Sequence, residues 1–144
     1  MLTVLIGPPA CGKTRWAARA TGEHLQTDAL RVVVTGTVQD HTRDDEVASA
    51  FDRAVVAALR RGATIVVENG ANARRTSYLA VAREVGLPAH AVVFENYGEA
   101  LANALRRPIP DLTRERWEAL AGEARAAAAT VDDEGWDEVR RISP

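Results

Sequence analysis

The chain has 144 residues, 47% of them hydrophobic and 26% charged, with a net charge of -2. This length and composition suit one globular domain, 1–144, with room for a real core. A protein that grips many phosphates is usually basic, so the charge excludes a broad nucleic-acid groove and leaves only a small, local contact. No apolar run approaches the roughly 20 residues of a bilayer span, so no membrane partner is expected. The start, MLTVLIG, has neither the basic nor the long apolar region of a signal peptide. The single cysteine excludes an internal disulfide and fits a reducing cytoplasm.

In chain order, LTVLI (2–6) is an apolar, β-branched run expected as a buried strand. A Gly-Pro-Pro turn follows, then a helical pattern from about Lys13 to Thr21. EHLQ (23–26) is a weak second strand, and Thr27-Asp28 opens a short segment. VVV (32–34) is a strand by propensity, yet it follows a helix start with no turn between them. After the polar loop 35–45, Thr42 or Asp44 is expected to cap a helix that runs to Arg61 and ends at Gly62. Val47, Phe51, Ala54, Val55, Ala58 and Leu59 fall on one face of it.

ATIVVE (63–68) is the clearest buried strand. The turn NGAN leads to a helix from Arg74 to Val85, ended by Gly86. AHAVVFE (89–95) is a strand, and a helix from Gly98 to Arg106 is broken by RPIP. Thr113 caps a long Ala-rich helix to about Ala129, DDEG turns the chain, and WDEVRRI (136–142) is an edge-like last strand. Strands alternating with helices predict an α/β fold, a parallel sheet of about four or five strands covered by helices on both faces.

Chemistry concentrates at the first turn. GPPACGKT fits Gly-x-x-x-x-Gly-Lys-Ser/Thr, after a strand and opening a helix, the context that a phosphate loop requires. Gly7 and Gly12 free the backbone of the loop Gly7-Pro8-Pro9-Ala10-Cys11-Gly12, and the successive N–H groups after its two prolines form an anion nest at a helix N-terminus. Lys13 is the only lysine in a chain that otherwise uses arginine. Its compact charge on a long stem reaches the β- and γ-phosphates of ATP, which a planar guanidinium does not match. Thr14 offers a hydroxyl to Mg²⁺. Cys11 has two readings, a thiol activated by the helix N-terminus or a small filler. Trp16 reads as core packing, because Ala17 and Ala20 share its side. Asp28 and Arg31, three apart, read equally as a proton-accepting carboxylate with an anion-binding arginine or as a helix cap with a local ion pair. His24, His41 and His90 have no metal-ligand spacing with Cys11.

The phosphate loop, Thr27-Asp28-x-x-Arg31, the apolar strand before ENGAN and the segment NALRRPIP occur in an order that resembles the 5′-hydroxyl polynucleotide kinase group of P-loop kinases. The likeness extends to GKTRWAARA and EGWDEVRRI, and so over nearly the whole chain. It implies a P-loop kinase fold and Mg²⁺-ATP-dependent transfer to the 5′-hydroxyl end of DNA or RNA, contacted over a few nucleotides. By the same resemblance Asp28 is the general base and Arg31 contacts the acceptor phosphate. Lys13 and the loop amides hold ATP, with Mg²⁺ near Thr14. Arg106 or Arg107 comes from a lid over the transferring group, with Arg106, one turn after Asn103, the favoured of the two. It further implies that VVV continues the helix begun at Asp28.

The chain departs from the group at Asn69-Gly70-Ala71-Asn72, where Asp-x-Thr-Asn is common. Either Glu68 supplies the acidic group or that role is absent. Two other functions stay open: a P-loop kinase of a small molecule such as a nucleoside, sugar, antibiotic or peptidoglycan precursor, and a nucleotide-binding regulatory module with little turnover.

Overall fold

The computed structural model describes residues 1–143; Pro144, the last residue of the expected unit, lies outside them. Five strands make one sheet: β1 (Leu2–Ile6), β2 (Glu23–Leu25), β3 (Ile65–Val67), β4 (Ala89–Phe94) and β5 (Glu138–Ile142). Their order is β2-β3-β1-β4-β5 and every pairing is parallel. β1, in the centre, is buried along its whole length, as a strand covered on both faces must be.

Alternation along the strands assigns side chains to two cores. Leu2, Val4, Ile6, Ile65, Val67, Ala91 and Val93 face one side, under α3 (Asp44–Arg60) and α4 (Arg75–Glu84). Leu5, Val66, Val92 and Phe94 face the other, under α1 (Lys13–Arg19), α5 (Tyr97–Arg106) and the start of α6 (Arg114–Thr130). The expected layering, helices on both faces of a parallel sheet, is the observed one. Among the described residues no helix is long and apolar enough to cross a membrane.

Thr113 caps α6 as expected, its side chain accepting from the Arg116 amide at 3.0 Å. The expected cap of α3 is corrected. Arg43 occupies that position without a side-chain bond. Thr42 instead donates its amide and hydroxyl to Asp40, at 2.9 and 2.5 Å, and Asp44 is spent on Arg31 and His41. Three acidic residues in the first turn of α3 face its positive end in place of a cap.

VVV lies inside α2 (Thr27–Thr35), so strand propensity fails there. The helix starts at Thr27, packs against α3 and stops at Gly36, whose φ of 89° suits only the left-handed region. Val33, 80% exposed, contributes nothing to a sheet. Tertiary packing outweighs a propensity difference worth tenths of a kcal/mol per residue, roughly.

Candidate active site

The carboxyl ends of parallel strands share one edge of the sheet, and ligands bind in crevices there. At that edge lies a cleft of about 960 Å³. Its floor is the loop between β1 and α1. Gly7 sits where a Cβ would lie 2.8 Å from both Cys11 Sγ and Phe94 Cβ, so its need for glycine is close approach. Ala10 and Gly12 have φ of 67° and 101°. Two left-handed residues one apart curl the chain so that amides converge, the geometry of an anion nest. Ala10 bears a strain of order 1–3 kcal/mol for that conformation.

Side chains of α5 and α6 grip the back of the loop. Trp117 Nε1 donates to the Pro9 carbonyl at 2.9 Å, Asn103 Nδ2 to Ala10 at 3.3 Å and Asn96 Nδ2 to Cys11 at 3.1 Å. Three successive carbonyls are thereby satisfied on one side. Lys13 Nζ folds over the loop and donates to the carbonyls of Gly7 and Pro8, both at 2.8 Å. Its charge thus rests at the nest, beside the first turn of α1, which has no side-chain cap.

Cys11 is a filler. It is buried, and burial raises its thiol pKa despite the opposing charge of Lys13, with Nζ 3.7 Å from Sγ. The activated-thiol reading is corrected. Trp16 packs against the second core, as expected.

Glu68, one residue past β3, faces the loop: Thr14 Oγ1 donates to its Oε1 at 2.5 Å. Asn69 points elsewhere, its Nδ2 3.5 Å from Thr27 Oγ1. The acidic group beside the phosphate loop is therefore Glu68. A Thr hydroxyl next to one carboxylate is the hard-oxygen set that suits Mg²⁺. Among the described residues no cluster of three or more His, Cys, Asp or Glu is arranged to hold a metal.

Asp28 lines the cleft with its side chain 68% exposed. It lies within the first turn of α2, and Gln26 occupies the cap position. Arg31, 8% exposed, does not line the cleft. Its Nη1 donates to Asp28 Oδ1 at 2.6 Å and its Nε to Asp44 Oδ1 at 3.1 Å. Desolvation acts to raise the Asp44 pKa, but hydrogen bonds from Arg31 and His41 and their charges outweigh it and hold the carboxyl low. Arg31 thus ties the start of α2 to the start of α3 and braces Asp28.

Arg106 and Arg107 both line the cleft, at the end of α5 and the start of the segment 107–113. Arg106 Nη2 donates to Asn103 Oδ1. Arg15, Val38, Gln39, His41 and Arg116 line it too. At the start of the helix expected from Arg74, Arg75 is buried and grips Glu134 through two bonds, at 2.9 and 2.6 Å.

A family model described as AAA domain matches residues 2–119. The chain belongs to that family. No curated protein matches the sequence. Among solved structures, shikimate kinase from Acinetobacter baumannii in complex with shikimate is similar with a TM-score of 0.60 and 14% identity, over 99% of this chain and 84% of that one. The fold of this AAA-domain chain is thus the α/β fold of P-loop kinases.

Proposed function

We propose that the protein is a phosphotransferase that moves the γ-phosphoryl group of ATP, with Mg²⁺, to a hydroxyl of a small molecule. The observation that carries this reading is that one cleft holds both the phosphate loop with Lys13 and the exposed carboxylate of Asp28. The likeness to a kinase bound to its small acceptor supports the class of acceptor. The acceptor's hydroxyl hydrogen passes to an Asp28 oxygen as its oxygen bonds to Pγ. The bond from Pγ to the β–γ bridging oxygen breaks, and ADP departs with that electron pair. Lys13 and the loop amides hold the phosphates, and Arg106 or Arg107 neutralises charge on the transferring group. Thr14 and Glu68 would hold Mg²⁺, which would supply further charge neutralisation when bound. A nucleoside, a sugar or an antibiotic fits this chemistry.

A second reading keeps the reaction and changes the acceptor to a 5′-hydroxyl end of DNA or RNA. An arginine beside the base suits a phosphate neighbour of the reacting hydroxyl, but Arg31 is buried and does not line the cleft, which ranks this reading second. Such a contact would draw on Nη2 of Arg31, since Nε and Nη1 are engaged.

The test is transfer from labelled ATP to a panel of free nucleosides, sugars, aminoglycosides, 3′-phosphorylated nucleotides and short 5′-hydroxyl oligonucleotides, with Lys13→Ala as control. Small neutral or cationic acceptors labelled by the native protein and not by the variant would support the first reading. Preference for the phosphorylated nucleotide or oligonucleotide would favour the second. ATP binding with no transfer to any acceptor would leave a regulatory nucleotide-binding module.

A further inference from the structure

β2 is an edge strand of three residues and contributes little to the core. One of its side chains nevertheless reaches the site. His24 Nε2 lies 2.7 Å from Glu68 Oε2, and His24 Nδ1 lies 3.2 Å from Gln26 Nε2. An amide nitrogen only donates. With Gln26 donating to Nδ1, the imidazole carries its hydrogen on Nε2 and donates it to Glu68. The other Glu68 oxygen accepts from Thr14 at 2.5 Å. Gln26, His24, Glu68 and Thr14 thus form one chain of hydrogen bonds from the edge strand to the phosphate loop.

Both oxygens of Glu68 are directed by it. His24 and Glu68 are only 20% and 19% exposed, so their contact is partly shielded from water and stronger than a surface pair. A Thr14 hydroxyl whose hydrogen is committed to Glu68 offers only lone pairs on its other side, which is what a hard cation takes. The Asn69 amide, turned toward Thr27, gives no substitute.

We propose that His24 is a positioning residue of the nucleotide–cation site: by holding one oxygen of Glu68 it aims the other at Thr14. This rests on the nucleotide-binding reading above. Partners that orient such groups typically change metal affinity by about 10- to 100-fold when removed, and the lower end applies to a site this open to solvent.

The test uses ADP as nucleotide and Mn²⁺ as probe ion, with affinity measured calorimetrically in Mn²⁺ and in EDTA. His24→Ala should lose about tenfold in ADP affinity in Mn²⁺ and stay close to the native protein in EDTA. His24→Gln keeps an N–H donor at similar reach and should retain most of the Mn²⁺ advantage, whereas Glu68→Gln should lose it. An unchanged Mn²⁺ advantage in His24→Ala would overturn the proposal. So would an equal loss in EDTA, which marks general damage, or a His24→Gln protein as defective as His24→Ala. If the native protein bound ADP in neither buffer, the nucleotide reading itself would fail, a result distinct from the others.

Discussion

Trp117 and Pro9, separated by 108 residues, are joined by an indole N–H to carbonyl bond of 2.9 Å. Trp117 is 2% exposed and stands at the first turns of α6, just after the segment 107–113. The bond makes α6 part of the phosphate site. With Asn103 and Asn96 it keeps three loop carbonyls turned away from the nest, leaving amides to face an anion.

Trp117→Phe keeps an aromatic ring in the core and removes the donor. Leaving one carbonyl unpaired costs about 1 kcal/mol. The variant should fold, melt a few degrees lower and bind ATP a few-fold to about tenfold more weakly. Titration of ATP into both proteins checks this. Native affinity in the variant would show that Trp117 only packs.

The pair Asp28–Arg31 offers a test that separates catalysis from binding. Asp28→Asn should leave ATP affinity within a few-fold and reduce turnover by about 10²-fold or more, the scale of a lost general base. Arg31→Ala removes the brace between Asp28 and Asp44 and should also lower turnover with little change in ATP affinity. Loss of ATP binding in Asp28→Asn, with turnover per bound ATP preserved, would make Asp28 a structural residue.

Features set by local chemistry were legible in the sequence. The phosphate loop follows from spacing and from its strand–turn–helix setting. The Thr113 cap needs only its own helix, and the apolar run LTVLI needs only its own strand. Asp28 and Arg31 meet because residues three apart on a helix share a face. What was not legible depends on distant pairing. Whether Glu68 or Asn69 meets Thr14 is a question of strand phase, fixed by Val67 pairing with Val4 and Leu25. A one-residue slip would exchange the two. The bonds of Trp117, Asn103 and Asn96 to the loop close across 85 to 108 residues and have no local signature. Arg75 and Glu134 each lie in a charged, turn-like stretch that carries no local mark of a partner. Only folding brings them together, 59 residues apart.

That ion pair gives a prediction for pH. Desolvation acts to raise the Glu134 pKa, but hydrogen bonds from Arg75, Trp136 and Thr130 and the charge of Arg75 outweigh it, so the folded value lies below the ordinary one. A depressed carboxyl contributes stability above its unfolded pKa, about 4.3. It loses that contribution as pH falls through the lower folded value. Glu134→Gln should therefore melt below the native protein at pH 6–7, roughly the window of full ionisation, and the difference should shrink on acidification below about 4. A gap in melting temperature that stays constant with pH would show that the charge of Glu134 is immaterial.

The last prediction concerns Arg106 and Arg107. Both line the cleft, but they are held differently. Arg106 ends α5 and bonds to Asn103, which itself holds the Ala10 carbonyl. One amide side chain thus connects this guanidinium to the phosphate loop, so its position depends on the loop's own conformation. Arg107 follows the helix with non-helical backbone torsions, and its amide bonds to the Asn103 carbonyl. A donor fixed in advance stabilises developing charge better than one that must be ordered first. Arg106→Ala should lower turnover on the order of 10²-fold, and Arg107→Ala by less than about tenfold. Asn103→Leu should reproduce part of the Arg106 defect by releasing the guanidinium from the loop. Single-turnover transfer to the best acceptor of the panel measures all three. A larger loss in Arg107→Ala would transfer the charge-neutralising role to Arg107, and negligible effects in both variants would remove it from this segment.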